Sequence, residues 1–281
     1  MQHEGAKLVT LRKMRKLGVS IALVASLALA AVAMADNSHE ILSASGTPLG
    51  KGTPAKPVAK TLKMTFEIGN ADDPSQRPIQ TQRFSLAAEG VVDFGKRFPK
   101  CTFSQATQQS LAAVKRACGK ARVGGGLARN LAGAANDTSI ATSLSCNLNM
   151  NFYNLGNGAA LRLDGDPPAS PPSSDAPGCV ISIHTSIRVR YVPIKVDGVR
   201  STALRFTVPD ELLEPITGVL NSVIGARFTI TSKTRSVRIR GKLRKVKIGS
   251  AIGCNGRTRT ALVDFTDVQG NTRRAEREVP C

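Results

Sequence analysis

The chain has 281 residues, with 39 Lys and Arg against 20 Asp and Glu, three histidines, six cysteines, two tyrosines and no tryptophan. At 41% hydrophobic and 21% charged residues it is too apolar for a disordered chain. The formal net charge of +19 points towards an anionic partner, and the placement of that charge decides which kind.

Lys7, Arg12, Lys13, Arg15 and Lys16 precede an apolar run from Leu17 to Val32, and Ala33-Met34-Ala35 puts small residues where a signal peptidase reads them. Residues 1–35 therefore read as a secretory signal peptide cleaved before Asp36. The 16-residue run falls short of the roughly 20 residues a membrane helix needs. No second such run follows, and no cysteine follows this one to take a lipid. The expectation is an extracellular, secreted protein with no membrane span after cleavage. Cleavage would leave 34 basic and 19 acidic residues, a net +15, of which residues 188–277 supply +12.

Residues 36–58 are polar and rich in Gly and Pro, and are expected to form a flexible leader. Residues 59–281 are expected to form a single domain. Leu62, Met64, Phe66 and Ile68 alternate with polar residues as in a half-buried strand, and Phe84 and Leu86 mark a second. Ser104–Ala117 reads as one short helix, with Lys115 and Arg116 in its last turn and Gly119 beyond. Gly124-Gly125-Gly126 lacks the Lys-Ser/Thr ending of a phosphate loop and reads as a kinked strand. Leu144 to Phe152 alternates with Cys146 facing inward, and Asp164–Gly178 holds five prolines and reads as a loop. Ile181 to Tyr191 places its apolar residues on one face and Ser182, His184, Ser186, Arg188 and Arg190 on the other. Further strands are expected at 203–208, 227–231, 236–240, 243–248, 260–265 and 273–279. About ten strands with one short helix predict an all-β fold, an antiparallel β-sandwich. No fixed-period repeat suggests a solenoid or propeller.

All six cysteines follow residue 35, and an even number in an exported chain reads as three disulfides. Of the fifteen possible connectivities, sequential pairing closes the helix, the proline loop and the C-terminal hairpin at least geometric cost. It gives Cys101–Cys118, Cys146–Cys179 and Cys254–Cys281, each worth about 3 kcal/mol in the chain-entropy picture. No Cys-x-x-Cys spacing occurs, and His184 is the lone histidine of residues 59–281, so neither metal nor cofactor is expected.

Cys101, sixteen intervening residues, and Cys118-Gly119-Lys120-Ala121-Arg122-Val123-Gly124-Gly125-Gly126 form one recognisable string. Cys254, Asp264-Phe265-Thr266-Asp267-Val268-Gln269-Gly270 and Cys281 form another. Over roughly residues 60–281 the chain resembles a group of uncharacterised secreted β-rich proteins of GC-rich actinobacteria. The resemblance implies a single-domain sandwich and transfers no functional residue. Cys146 and Cys179 lie outside its pattern.

The strongest functional signal is a run of nine cations without an acid: Arg227, Lys233, Arg235, Arg238, Arg240, Lys242, Arg244, Lys245 and Lys247. Val237 and Ile239 alternate with Arg238 and Arg240, and Gly241 marks a turn, so a basic hairpin with an apolar face and a charged face is expected. Arg188 and Arg190 would join it if their strand were adjacent. Such a surface attracts polyanions by counterion release. For an exported protein the expected partner is an anionic cell-wall polymer or acidic polysaccharide. Without aromatic platforms, specific nucleic-acid recognition is not expected. The competing interpretation is a solvated face that keeps strand edges apart. Asp164-Gly165-Asp166 has too few spaced oxygens for a calcium loop. No Gly-x-Ser-x-Gly elbow or local catalytic constellation is present, so the expectation is a non-catalytic binding or structural protein of the cell envelope. The alternative is an extracellular hydrolase whose site is assembled from distant residues around His184 or two carboxylates.

Overall fold

A computed structural model describes residues 36–47, 52–170, 174–252 and 257–281. Along the chain these form β1 (Asn37–Thr47), β2 (Val58–Ala59), β3 (Thr61–Asn70), β4 (Thr81–Ala88), β5 (Val91–Asp93), α1 (Phe103–Ala106), α2 (Leu111–Cys118), β6 (Arg122–Ala134), β7 (Leu144–Ser145), β8 (Leu148–Asn154) and β9 (Gly158–Gly165). There follow β10 (Ile183–Val196), β11 (Val199–Thr207), α3 (Asp210–Leu213), β12 (Val219–Ile230), β13 (Lys233–Ile239), β14 (Lys242–Ile248), β15 (Ser250–Ala251), β16 (Thr258–Asp267) and β17 (Thr272–Pro280). The fold is all-β and antiparallel, as the alternation predicted, although the described strands number well above ten, because β1, β9 and several two- or three-residue strands add to those expected.

One sheet runs in the order β1-β3-β12-β6-β8-β9-β10-β11-β4-β16-β17, with β7 beside β6. It curls until its two ends meet. Asp36 pairs with Arg273, Arg277 Nη1 donates to the Ile41 carbonyl at 2.9 Å, and His39 stacks on Phe265 with ring centroids 4.4 Å apart. The result is a nearly closed barrel, a sandwich whose two halves are one sheet. Period-two alternation sends Met64, Phe66, Phe84, Leu86, Phe152, Leu161 and Phe265 into its interior. The cavities left among these side chains are only about 30 to 60 Å³, so the barrel is a packed core.

Three expectations need correction. Asn37–Thr47, placed in the flexible leader, is an eleven-residue strand paired with β3 from Asn37↔Asn70 to Thr47↔Thr61, with one shift of register between Ile41 and Ser43. Its buried Ile41 and half-buried Ala44 and His39 meet the core, and this long-range pairing overrides a composition that looks linker-like. His184 is therefore not the only histidine of the folded unit. The expected single helix is two: Thr102 caps α1 by accepting from Gln105 N, and Ser110 caps α2 by accepting from Ala113 N. Strand β9 escaped prediction because all eight of its residues are buried, which erases the alternation.

The triple glycine lies in β6. A Cβ on Gly124 or Gly126 would run into the Thr229 or Arg227 carbonyl of β12, so close backbone approach requires glycine there. The Cys101–Cys118 and Cys146–Cys179 disulfides are both formed. Cys281 is also disulfide-bonded, while Cys254 lies outside the described residues, as do residues 1–35 read as a signal peptide. No helix among the described residues is long and apolar enough to cross a membrane.

Burial holds the His39 imidazole below its ordinary 6.5, opposed by the nearby Asp36 carboxylate. The unfolded chain then binds more protons at this site, so stability falls as pH drops below 6.5 and through the lowered folded value. Asp36, held low by its hydrogen bond with Arg273, acts in a separate window below its ordinary 3.8. His39→Phe is expected to lose less melting temperature than the parent between pH 7.5 and pH 5; equal losses would assign the acid sensitivity elsewhere.

Candidate functional site

Strands β13 and β14 form a two-stranded sheet separate from the barrel. Arg240 and Gly241 adopt φ values of 49° and 77° between them, the mirror-image geometry that suits a two-residue hairpin turn. Along one face, Val246 and Ile248 are buried, and Val237 and Ile239, the latter beside the turn, are half-buried against the core. The opposite face stands in solvent along its length, and Leu243 on it is 70% exposed.

The register refines the expected division into an apolar and a charged face. Residues opposite each other share a face, so Val237↔Arg244, Arg235↔Val246 and Ile239↔Lys242 mix the two types. Cations occupy both faces. On the mixed face, Arg and Lys stems can cover the apolar side chains while their heads stay in water. On the other, Lys247 faces Thr234, Lys245 faces Ser236, and Arg238 faces Leu243. Every cross-strand pair thus carries one cation and one uncharged residue, which avoids direct like-charge opposition.

Seven of the nine predicted cations stand on this hairpin as exposed residues: Arg235, Arg238, Arg240, Lys242, Arg244, Lys245 and Lys247. None of them is in an ion pair with a described residue. Lys233 is tethered at the base, its Nζ donating to the Arg122 carbonyl at 2.8 Å; burial and the adjacent Arg122 and Arg235 charges push its pKa down. Arg227 belongs to β12 instead and pairs with Asp175 at 2.6 Å, so it does not join the hairpin cations. Arg188 and Arg190 are also elsewhere, because β10 is flanked by β9 and β11.

His184, the focus of the hydrolase alternative, lies at the edge of a polar cluster on the outer barrel face. Its Nδ1 is 3.1 Å from Asp164 Oδ1 and its Nε2 is 3.1 Å from Asp166 Oδ1. Both contacts are hydrogen bonds only when the ring carries two protons. The neighbouring Ser186 hydroxyl donates to the Ala106 carbonyl at 2.8 Å. Asp164 and Asp166 thus meet histidine, and among the described residues no cluster of three or more His, Cys, Asp or Glu has a metal-holding arrangement.

The centre of this cluster, Arg162, was missed in the sequence because strand β9 was missed. It is completely buried where the α1–α2 segment lies on β8, β9 and β10. Its Nε donates to Asp164 Oδ1 at 2.9 Å, and its two Nη atoms donate to the Gln108 and Gln109 carbonyls at 2.9 and 3.0 Å. Those carbonyls sit in the break between α1 and α2. Turning them onto the guanidinium gives the break a structural partner, and the Cys101–Cys118 bond closes the same excursion. The only nearby hint in the sequence was Arg162-Leu163-Asp164, with like-facing charges two residues apart.

Removing the guanidinium leaves the Asp164 carboxylate and two carbonyls without it. Arg162→Met is expected to lower unfolding free energy by about 3 kcal/mol in urea denaturation, and Asp164→Ala to add little when combined with it, because one buried network is being broken twice. Additive losses would show that the two residues stabilise the fold separately.

Comparison with protein-family models, curated proteins and solved structures gave no match, so these surfaces are interpreted from their own geometry.

Proposed function

We propose that this chain is an exported, non-catalytic binding protein of the cell envelope that holds an anionic cell-wall polymer or acidic polysaccharide through the β13–β14 hairpin. The observation that carries this reading is the separate two-stranded sheet with seven exposed cations, none ion-paired with a described residue. The outward face, with Arg238, Lys245 and Lys247, and the exposed Arg235, Arg240, Lys242 and Arg244 around it leave room for a flexible polymer to lie along the hairpin. Exposed charges of this kind attract through screened electrostatics and counterion release, without a shaped pocket. The uncharged residue opposite each cation reduces the repulsion involved in displaying so much positive charge.

Export is supported by the described disulfides, which persist in oxidising compartments. It is also supported at the expected cleavage point. The backbone nitrogen of Asp36 lies 3.0 Å from Asp72 Oδ2, so cleavage before Asp36 would set a new α-ammonium against a carboxylate. The resemblance to secreted actinobacterial proteins belongs to the same reading.

The mature protein, incubated with isolated cell wall, is expected to be retained at about 50 mM salt and released at several hundred mM, because each neutralised anion adds to the salt slope. Charge reversal at Arg238, Arg240, Lys245 and Lys247 is expected to weaken retention by about tenfold or more at low salt. Salt-independent partitioning into the medium, or full retention of the reversed variant, overturns the proposal.

A further inference from the structure

Strands β10, β11, β4, β16 and β17 lie side by side in the barrel and carry a second cationic surface. Across them run the opposed pairs Arg190↔Arg205, Arg205↔Ser85, Ser85↔Asp264 and Asp264↔Arg274. At the next level, Arg83 faces Thr207 on one side and Thr266 on the other, and Arg188 precedes Arg190 by two residues on the same face. These residues line an open concavity of about 820 Å³. Its five cations are all arginine, and its one acid, Asp264, is engaged by Arg274 at 2.6 Å.

Two arginines are held in place. The Arg188 guanidinium lies 4.3 Å from the centroid of the Phe103 ring, and Arg205 Nε donates to Ser85 Oγ at 3.2 Å. Arg83 and Arg190 are exposed and have no ion pair with a described residue. The opposition of Arg190 and Arg205 contrasts with the hairpin, where no cation faces another. Like charges directly opposite on neighbouring strands destabilise a sheet. An anion between them reverses the sign of that contribution.

The chemistry of the lining narrows the ligand. A guanidinium offers a planar fork that meets phosphate oxygens in pairs. Arginines across adjacent strands are separated by about 5 Å at the backbone, and those two apart along a strand by about 7 Å. The first spacing lets one phosphate bridge two forks, and the second lets a neighbouring phosphate reach another. The Ser85 and Thr207 hydroxyls line the same concavity and can donate to remaining oxygens, as can one of the mutually hydrogen-bonded Thr266 and Thr272 pair, 2.9 Å apart.

We infer that this concavity binds a ligand carrying at least two phosphate groups, with Arg190 and Arg205 clamping one phosphate and Arg83 and Arg188 meeting the next. The site is independent of the hairpin and does not require the hairpin proposal. Inorganic tripolyphosphate, titrated calorimetrically at low salt, tests it. The parent is expected to bind tripolyphosphate more tightly than monophosphate. Arg190→Ala combined with Arg205→Ala should weaken tripolyphosphate binding at least tenfold, whereas Arg238→Ala combined with Lys245→Ala should change it less than threefold. Melting curves provide a second readout: tripolyphosphate should raise the melting temperature of the parent and of Arg190→Lys more than that of the double-alanine variant. No binding by the parent, equal binding by the double-alanine variant, or an equal loss in the hairpin variant overturns the inference. Equal affinity for monophosphate overturns the requirement for two phosphates.

Discussion

Closure of the sheet by β1 is the constraint on which the rest of the architecture depends. β1 pairs along its length with β3 and lies against β17 through the Asp36–Arg273 ion pair, the Arg277 bond to the Ile41 carbonyl and the His39–Phe265 stack. Once the ends meet, each strand of the curled sheet has one side committed to the interior. Apolar side chains fill that side. Charged side chains must then face outward or be enclosed by another element, and the two cationic surfaces follow from that separation.

The enclosed case is Arg162. A guanidinium in a closed environment is tolerable when its donors meet good acceptors, and here three N–H groups meet a carboxylate and two main-chain carbonyls. The same residue therefore joins β9 to the α1–α2 excursion and occupies the break between its helices. The two described disulfides work in different surroundings. Cys101–Cys118 belongs to the small cluster under the helical segment, and Cys146–Cys179 to the main core beside the proline-rich loop.

The outward-facing charge is arranged in two different ways. On β13 and β14, cations alternate with uncharged partners across the ladder, so electrostatic repulsion is spread over both faces. On β10 and β11, Arg190 and Arg205 face one another in a concavity whose single acid already has an arginine. The first arrangement suits a diffuse contact with a flexible polyanion. The second concentrates positive potential in a place with forked donors and hydroxyls.

The sequence by itself determined the all-β class, because apolar–polar alternation is a local property that survives wherever a strand is half-buried. It also located the cysteines, the cationic run and the hairpin turn at Gly241. Alternation became uninformative where both faces were covered, as in β9, and linker-like composition concealed β1, whose order comes from residues far along the chain. Sequence order alone also placed Arg227 with the hairpin cations and left the neighbours of Arg188 and Arg190 undecided. Only the tertiary structure decided that Arg227 meets Asp175, that Arg162 is enclosed and that Arg190 faces Arg205. The physical reason is that side-chain direction within a strand follows a two-residue repeat, whereas the identity of the neighbouring strand is set by closure of the whole sheet.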